Sequence, residues 1–444
     1  MRRGRKSGGR GFELRLNGWT ARVAAISFIV LMVGALIGCV VYSGGDPVFY
    51  PDQPPDRTRP QPLDRLDRIE GWVPSWGDEA KIAGEARSAG FTDLLFFNGS
   101  VAGDGVVSIE DPAGLAAGLK AAAGVRSWLT VTNHGGSLET PLGSGIGAHV
   151  ESLLEAFARS GCDHLDLDYE SLNRTQAEGL ATLVERLTDR LPAGSRLSLT
   201  LQPVDSRLRP DQRSIYRRLL ESPQVYTIRM MMYDYHWRGS LPGALYPMAA
   251  FQRLIEEWAE FAHKLTLCLP LYGYDWPRPE DTSLPRAEVV TLRDVAKLSS
   301  QPGFDAVWMR EQSELAARYR AGGVTHYAAL PSLRAINARA VAGLDWGVPA
   351  VSFWHLGCAS LSAIPSACAR EAEPSEAVGY DSGAGWADWM DPYKRRVCEV
   401  ITADGSRSLE QIAEANGVTR ATMYRFNEQI VSDDLAGCTV YIPK

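Results

Sequence analysis

Eight short apolar runs alternate with helix-like segments through the middle of this chain. Strands that alternate with helices predict a parallel sheet, and eight such units across about 280 residues predict a TIM barrel, the (β/α)8 fold. The segment at roughly 285–340 is longer than one helix needs, so we expect a small subdomain inserted between strands 7 and 8. The predicted strands are Ile69–Trp72, Asp93–Asn98, Arg126–Asn133, His164–Glu170, Arg196–Gln202, Thr227–Tyr233, Leu265–Leu271 and Ala350–Trp354.

The fourth run carries the acidic pattern D-x-x-D-x-D-x-E, at Asp163, Asp166, Asp168 and Glu170. Alternate side chains of a strand share a face, so the last three acids point one way and the residues between them the other. Carboxylates about 6–7 Å apart cannot all ionise cheaply in a buried site, and one of them should keep its proton near neutral pH. General-acid catalysis needs such a group. Asp163 is out of phase at the other end of the strand, where we expect a supporting role.

Polar and aromatic residues stand where the runs end. The active sites of TIM barrels lie at the carboxyl ends of the strands, so we expect these residues to surround one mouth. A single aromatic residue is more often core packing, whereas several at one rim favour a surface that stacks on sugar rings. The expected rim residues are Asn98, Asn133, Glu170, Tyr233, Asp234, Tyr272 and Trp354.

Composition excludes several classes of function. The 444 residues carry a net charge of −7, which argues against a nucleic-acid partner. The seven cysteines form no C-x-x-C pair and the seven histidines form no H-E-x-x-H spacing, so the sequence predicts no metal site and no cofactor.

The start of the chain reads as a targeting segment. A basic stretch at 1–22 precedes an uncharged apolar run at 23–42, and a proline-rich stretch follows at 43–67. Twenty apolar residues can span a bilayer, and basic flanks stay cytoplasmic. We therefore expect a transmembrane signal anchor, a spacer, and a catalytic part that is periplasmic or at the cell surface. Two alternatives are a lipoprotein lipidated at Cys39, since Leu36–Cys39 resembles a lipobox, and a buried core helix.

The end of the chain divides into a second spacer at 371–392 and a module at 393–444. The module contains two helix patterns between two short strand patterns, with Ser408 as a candidate N-cap and Gly417 as a helix stop. It resembles either a DNA-reading helix-turn-helix or a LysM domain, a βααβ module that binds N-acetylglucosamine glycans. The closing strand and the expected location outside the cytoplasm favour LysM.

The barrel is predicted at 68–370. Its sequence resembles glycoside hydrolase family 18 over roughly residues 68–365. The motif from Asp163 to Glu170 is the strongest element. Met231–Asp234 fits the M-x-Y-D sequence of that family at the end of the sixth strand, and Trp354 fits its last strand. The run Leu267–Trp276 looks like the branch of bacterial cell-wall and spore-cortex-lytic enzymes, the N-acetylglucosaminidase-like members.

The resemblance implies a role for each matching residue. Glu170 would be the general acid, and the 2-acetamido oxygen of the substrate would attack the anomeric carbon, with retention of configuration. Asp168 would orient the acetamido N–H, Asp166 would tune Asp168, and Tyr233 would bind the acetamido carbonyl. The implied substrate-binding residues are Asp234, Trp354, Tyr272, Asn98, Asn133 and Met231.

The sequence therefore predicts a membrane-tethered hydrolase that cuts β-1,4 links next to N-acetylglucosamine, with peptidoglycan favoured as the substrate. Chitinase is the near alternative. A catalytically inactive glycan-binding protein and a membrane-anchored DNA-binding regulator are alternatives from other classes. In an oxidising compartment we also expect disulfides between Cys398 and Cys438 and between Cys358 and Cys368, with Cys162 and Cys268 as buried thiols.

Overall fold

The computed structural model describes residues 60–205, 210–277, 286–372, 386–427, 430 and 434–444. The predicted cytoplasmic segment at 1–22, the anchor at 23–42, Cys39 and most of the spacer at 43–67 lie outside these residues. Among the helices in the described ranges, none combines the length and the apolar character that crossing a bilayer requires.

Eight parallel strands close into a ring, as predicted for the (β/α)8 fold. The strands as far as residue 354 are β1 (Arg68–Pro74), β2 (Asp93–Val101), β3 (Val107–Ile109), β4 (Arg126–Thr132), β5 (His164–Asp168), β6 (Leu197–Leu201), β7 (Val225–Met231), β8 (Leu265–Pro270), β9 (Tyr272–Pro277), β10 (Glu288–Thr291), β11 (Asp305–Met309), β12 (Glu314–Ala321), β13 (Val324–Leu330) and β14 (Ala350–Trp354). Strands β1, β2, β4 to β8 and β14 form this ring, and β1 closes it by pairing with both β2 and β14.

Helices cover the outside of the ring. The helices up to residue 367 are α1 (Glu79–Ala89), α2 (Pro112–Ala121), α3 (Ile146–Ser160), α4 (Arg174–Thr188), α5 (Arg213–Glu221), α6 (Met248–Glu257), α7 (Val295–Leu298), α8 (Leu333–Asp345) and α9 (Ile364–Ala367). Their ends follow local chemistry: Asn173 and Gln176 form a capping box at the start of α4, and Gly161 ends α3 with a φ of 73°.

A five-stranded antiparallel sheet interrupts the barrel between β8 and β14, in the order β10-β9-β13-β12-β11. The sequence predicted an insertion here at roughly 285–340. The inserted strands instead run from Tyr272 to Leu330, and α8 returns the chain to the barrel. The difference arises because β9 follows β8 almost directly, so one apolar stretch contains strands of two different sheets.

The C-terminal part consists of α10 (Trp386–Val397), β15 (Cys398–Thr402), α11 (Leu409–Ala415), α12 (Arg420–Phe426) and β16 (Thr439–Pro443). Strands β15 and β16 pair antiparallel, and the two short helices pack on them through Ile412 and Met423. Helix α10 begins inside the segment predicted as a spacer at 371–392. Its Trp386 and Trp389 pack into the core of the inserted sheet.

The predicted disulfide between Cys398 and Cys438 is wrong. The register pairs Cys398 with Pro443 at one end of the two-stranded ribbon and Thr402 with Thr439 at the other. Cys438 precedes Thr439 and so lies level with Ala403, which puts the two cysteines five residues apart along the ribbon, or roughly 17 Å. A disulfide needs Cα atoms within about 7 Å. Both cysteines are free thiols.

The predicted disulfide between Cys358 and Cys368 is also wrong, since both residues are buried free thiols. The Cys368 thiol donates to the carbonyl oxygen of Ile364 at 3.3 Å, within its own helical turn. Cys162 and Cys268 are buried thiols, as the sequence predicted.

Candidate active site

Strand β5 presents its acids to the interior of the barrel. Asp166 and Asp168 are buried there, whereas Leu165 and Leu167 belong to the hydrophobic core that includes residues of the surrounding helices. This is the alternation that the sequence predicted. Asp163 lies at the other end of the strand, where its Oδ2 accepts from the backbone N–H and the hydroxyl of Ser127 at 2.9 and 2.8 Å. Asp163 thus joins β5 to β4 and is remote from the mouth.

Asp166 is surrounded by donors. Its carboxylate accepts from Thr130 at 3.0 Å, from Ser198 at 2.7 Å and from Thr200 at 3.0 Å. Arg229 Nη1 adds an ion pair at 3.0 Å. Burial raises the pKa of Asp166, and the guanidinium and hydroxyl groups act against that rise. The carboxylate therefore has a fixed orientation and four partners.

Arg229 is a buried partner of the site carboxylates that sequence reasoning missed. It is completely buried and lies between two carboxylates, since its Nε also pairs with Glu70 at 2.7 Å. Arg68 pairs with the other oxygen of Glu70 at 2.8 Å, and the Arg229 guanidinium lies 4.6 Å from the ring centre of Trp128. The sequence signal that could have found it is an arginine inside an apolar strand run, at a position that alternation assigns to the inward face of that strand.

Asp168 and Glu170 carry the perturbed carboxyl groups of the mouth. Burial, together with the charges of Glu170 and Asp166, raises the pKa of Asp168 well above its usual range. Within the described residues, Asp168 Oδ1 has no hydrogen-bond partner. Burial and the charge of Asp234 raise the pKa of Glu170 to about 7. The pair can therefore hold a proton at neutral pH, and one buried acceptor oxygen is available to a ligand.

Asn133 holds the backbone at the end of β5. Its Oδ1 accepts from the N–H of Glu170 at 3.1 Å, and its Nδ2 donates to the carbonyl of Glu170 at 3.3 Å and of Gly136 at 2.9 Å. The sequence predicted Asn133 as a substrate-binding residue. The structure places it behind the general-acid candidate, with its amide occupied by these backbone groups.

Asp234 follows β7 with a left-handed φ of 59°. Its Oδ1 accepts from the hydroxyls of Tyr272 and Tyr274 at 2.6 and 3.0 Å. Burial raises the pKa of Asp234 to about 6, and the two hydroxyls act in the opposite direction. Tyr233 lies beside this group, with its ring centre 6.1 Å from that of Tyr272. Tyr272 was predicted to bind substrate, but it is buried and positions Asp234.

Two predicted substrate-binding residues, Asn98 and Met231, are buried. Asn98 lies at a bulge between Phe97 and Gly99 in β2 and is fully buried. The Nδ2 of Asn98 donates to Glu79 Oε1 at 2.7 Å. Its Oδ1 accepts from the N–H of Asp111 at 2.8 Å. The Asn98 amide is thus occupied by the Glu79 side chain of α1 and by the backbone of Asp111. Met231 is likewise buried.

Aromatic rings gather at the carboxyl ends of β1, β2 and β14. Trp354 at the end of β14 contacts Phe97, Trp72 and Trp76 edge to face, with ring centres 4.9, 5.8 and 6.2 Å away. Trp76 is 52% exposed, a large fraction for a tryptophan, and the sequence prediction did not include it. A partly exposed aromatic surface at the mouth of the barrel suits the apolar face of a sugar ring. Within the described ranges, no cluster of three or more His, Cys, Asp or Glu side chains could hold a metal ion.

No family model matches the chain. It is 21% identical over 215 residues to a cortical fragment-lytic enzyme of Bacillus anthracis, which covers 47% of this chain and 49% of that protein. It is 26% identical over 132 residues to the putative sporulation-specific glycosylase YdhD of Bacillus subtilis, which covers 29% of this chain and 31% of that protein. The chain thus spans about half the length, or less, of these curated relatives.

Solved structures share the barrel. The spore cortex-lytic enzyme SleL of Bacillus cereus superimposes with a TM-score of 0.58 and 19% identity, over 70% of this chain and 75% of SleL. A family GH18 chitinase of Cycas revoluta superimposes with a TM-score of 0.57 and 15% identity, over 68% of this chain and 98% of the chitinase. The chain is therefore similar to family 18 proteins and has their barrel fold.

Proposed function

We propose that this protein is a glycoside hydrolase that cleaves β-1,4 linkages of an N-acetylglucosamine-containing glycan, with peptidoglycan as its substrate. The observation that carries the proposal is the Asp168–Glu170 pair at the mouth, in which burial and neighbouring charge favour a protonated carboxyl group near pH 7. The similarity to spore cortex-lytic proteins supports the choice of glycan.

In the proposed mechanism, Glu170 protonates the glycosidic oxygen of the leaving sugar. The acetamido oxygen of the substrate attacks the anomeric carbon and forms a cyclic intermediate, which water then opens with net retention. Asp168 accepts a hydrogen bond from the acetamido N–H through its unpartnered Oδ1 and stabilises the positive charge that develops there. Tyr233 donates to the acetamido group and aligns it.

Asp166 contributes through Asp168. The ion pair with Arg229 favours a negative charge on Asp166, and this charge raises the pKa of Asp168. We therefore propose that Asp168 and Glu170 share one mobile proton, so that Asp168 is ionised when Glu170 carries the proton close to the reacting bond. Trp354 supplies the floor under the sugar ring.

Chitinase is the second candidate, and the similarity to a plant family GH18 chitinase favours it. The deciding experiment digests purified peptidoglycan and chitin oligomers with the full-length protein and reads the new reducing ends by mass spectrometry. Products ending in N-acetylglucosamine from peptidoglycan support the proposal, whereas cleavage of chitin alone supports the second candidate. Cleavage of neither, with retained glycan binding, identifies an inactive glycan-binding protein. Glu170→Gln serves as the matched control.

We further propose that residues 23–42 anchor the protein with its barrel outside the cytoplasm, and that residues 393–444 form a LysM-like glycan-binding module. The order of β15, α11, α12 and β16 supports the second assignment. Reporter fusions at the C-terminus test the topology. Pull-down of the Glu170→Gln protein on peptidoglycan, with and without free chitin oligomers, tests glycan recognition.

A further inference from the structure

The loop at 235–245 follows Asp234 and folds back on itself. The N–H of Tyr235 donates to the carbonyl of Leu245 at 2.7 Å, and the N–H of His236 donates to the carbonyl of Ala244 at 3.3 Å. On the side of the inserted sheet, the N–H of Leu245 donates to both carboxylate oxygens of Glu314 at 3.1 and 3.0 Å. The C-terminal end of this loop is thus hydrogen-bonded to β12.

The C-terminal module fixes the rest of the loop. Arg425 on α12 donates from Nε to the carbonyl oxygen of Tyr235 at 2.6 Å. Leu241, at the tip of the loop, is buried in a cluster with Tyr393, Phe426 and Tyr441. The loop therefore has a polar and an apolar contact with a module that is about 190 residues away in sequence.

The module is itself rigidly assembled at this point. Asn427, two residues beyond Arg425, donates to the carbonyl of Tyr441 at 2.8 Å and accepts from its N–H at 2.7 Å. The Tyr441 hydroxyl donates to Asp391 on α10, and Trp386 of the same helix packs in the core of the inserted sheet. The position of Arg425 is thus determined by the barrel insertion as well as by the module.

Asp234 has a left-handed backbone, with a φ of 59°, which few residues other than glycine adopt. The groups whose charge or hydroxyl acts on Asp234 come from four elements. Glu170 and Tyr233 lie at the ends of β5 and β7, Tyr272 and Tyr274 belong to β9, and Arg425 belongs to α12. Arg425 provides the positive charge in this set and favours an ionised Asp234.

We infer that Arg425 is a positioning residue of the barrel active site, and that the C-terminal module completes the site by holding the 235–245 loop and Asp234 in place. This inference rests on the proposed function for its catalytic meaning, because Asp234 acts on substrate only if the mouth cleaves glycans. The contact between module and loop can be tested independently.

The first test is hydrogen–deuterium exchange of the full-length protein, read at peptides that cover 235–245. Arg425→Gln and Leu241→Ala should both increase exchange in this loop by about tenfold, the effect of a 1.4 kcal/mol loss of local stability. Arg407→Gln removes the same charge from an exposed position of the module and should leave exchange unchanged. Unchanged exchange in Arg425→Gln would overturn the inference, whatever the enzyme activity.

The second test is the pH dependence of kcat/KM on chitin oligomers or peptidoglycan fragments. Loss of the Arg425 charge raises the pKa of Asp234, so the acidic limb should move to higher pH by about half a unit to one unit, with a three- to tenfold loss below pH 6. Arg425→Lys keeps the charge and should restore the limb, whereas Leu241→Ala should lower kcat without moving it. A limb unmoved in Arg425→Gln would overturn the positioning role. An inactive wild-type protein would refute the proposed function, and the exchange experiment would still decide the inference.

Discussion

Replacing Arg229 by methionine tests whether the buried charges inside the barrel are balanced as the structure indicates. Two guanidinium groups, of Arg68 and Arg229, face two carboxylates, of Glu70 and Asp166. Arg229 and both carboxylates have no exposed side-chain area. Methionine fills a similar volume but leaves one excess negative charge in a region without water contact.

The expected cost is large for a single substitution. Breaking a buried ion pair by removing one partner destabilises proteins by about 3–5 kcal/mol, because the remaining charge is left uncompensated. Arg217→Met is the matched control: Arg217 pairs with Glu221 and Glu260 but is 37% exposed, so its loss should cost at most about 1 kcal/mol. Urea unfolding followed by near-UV circular dichroism measures both.

A double variant isolates the electrostatic part. Asp166→Asn removes the charge that Arg229→Met leaves unpaired. The double variant should therefore lose about 1–3 kcal/mol less stability than the losses of the two single variants added together. Loss of the guanidinium raises the pKa of Asp166 further in the folded state of Arg229→Met. As the pH falls, Asp166 therefore takes up a proton, and the loss in free energy of unfolding caused by Arg229→Met should become smaller. A cost for Arg229→Met equal to that of the control, or strict additivity, would refute the reasoning.

Three further predictions concern the mouth and the cysteines. Asp168→Asn should lower kcat by a factor of about 10² or more, because the developing positive charge loses its anion; unchanged turnover would argue against assistance by the substrate. Activity should fall as the pH rises through about 7, where Glu170 loses its proton. Asp234→Asn should move this basic limb of the pH profile to lower pH, because the charge of Asp234 raises the pKa of Glu170. A limb that stays in place would show that another group controls it. Unfolding without reductant in the presence of iodoacetamide should alkylate both Cys398 and Cys438; peptides still linked by a disulfide in mass spectra would contradict the strand register.

The barrel was predictable because its strands have a local signature. Each predicted run contains the corresponding strand or most of it, since apolar strands of a closed parallel sheet are buried on both faces. The acids on β5 were predictable for the same reason, because alternation fixes the faces of a strand whatever its neighbours are.

The surroundings of other residues at the site depend on information that is not local. Asn98 sits at a bulge, which changes the direction of one side chain without a sequence signature. Tyr272 lies in the first strand of the inserted sheet, and only the pairing of β9 with β10 and β13 separates it from the barrel. Arg229 is buried because Glu70 and Asp166 reach it from other strands. The contact of Arg425 with the 235–245 loop likewise joins distant parts of the chain.

The closure of the ring between β1 and β14 constrains how the protein is made. Arg68 lies opposite Ala350, so the seam cannot form until nearly all of the barrel has left the ribosome. Until then β1 and β8 each present a bare backbone edge that is open to intermolecular pairing. Contacts so distant in sequence also slow folding. A chain truncated before β14 should therefore aggregate, however well its earlier segments form.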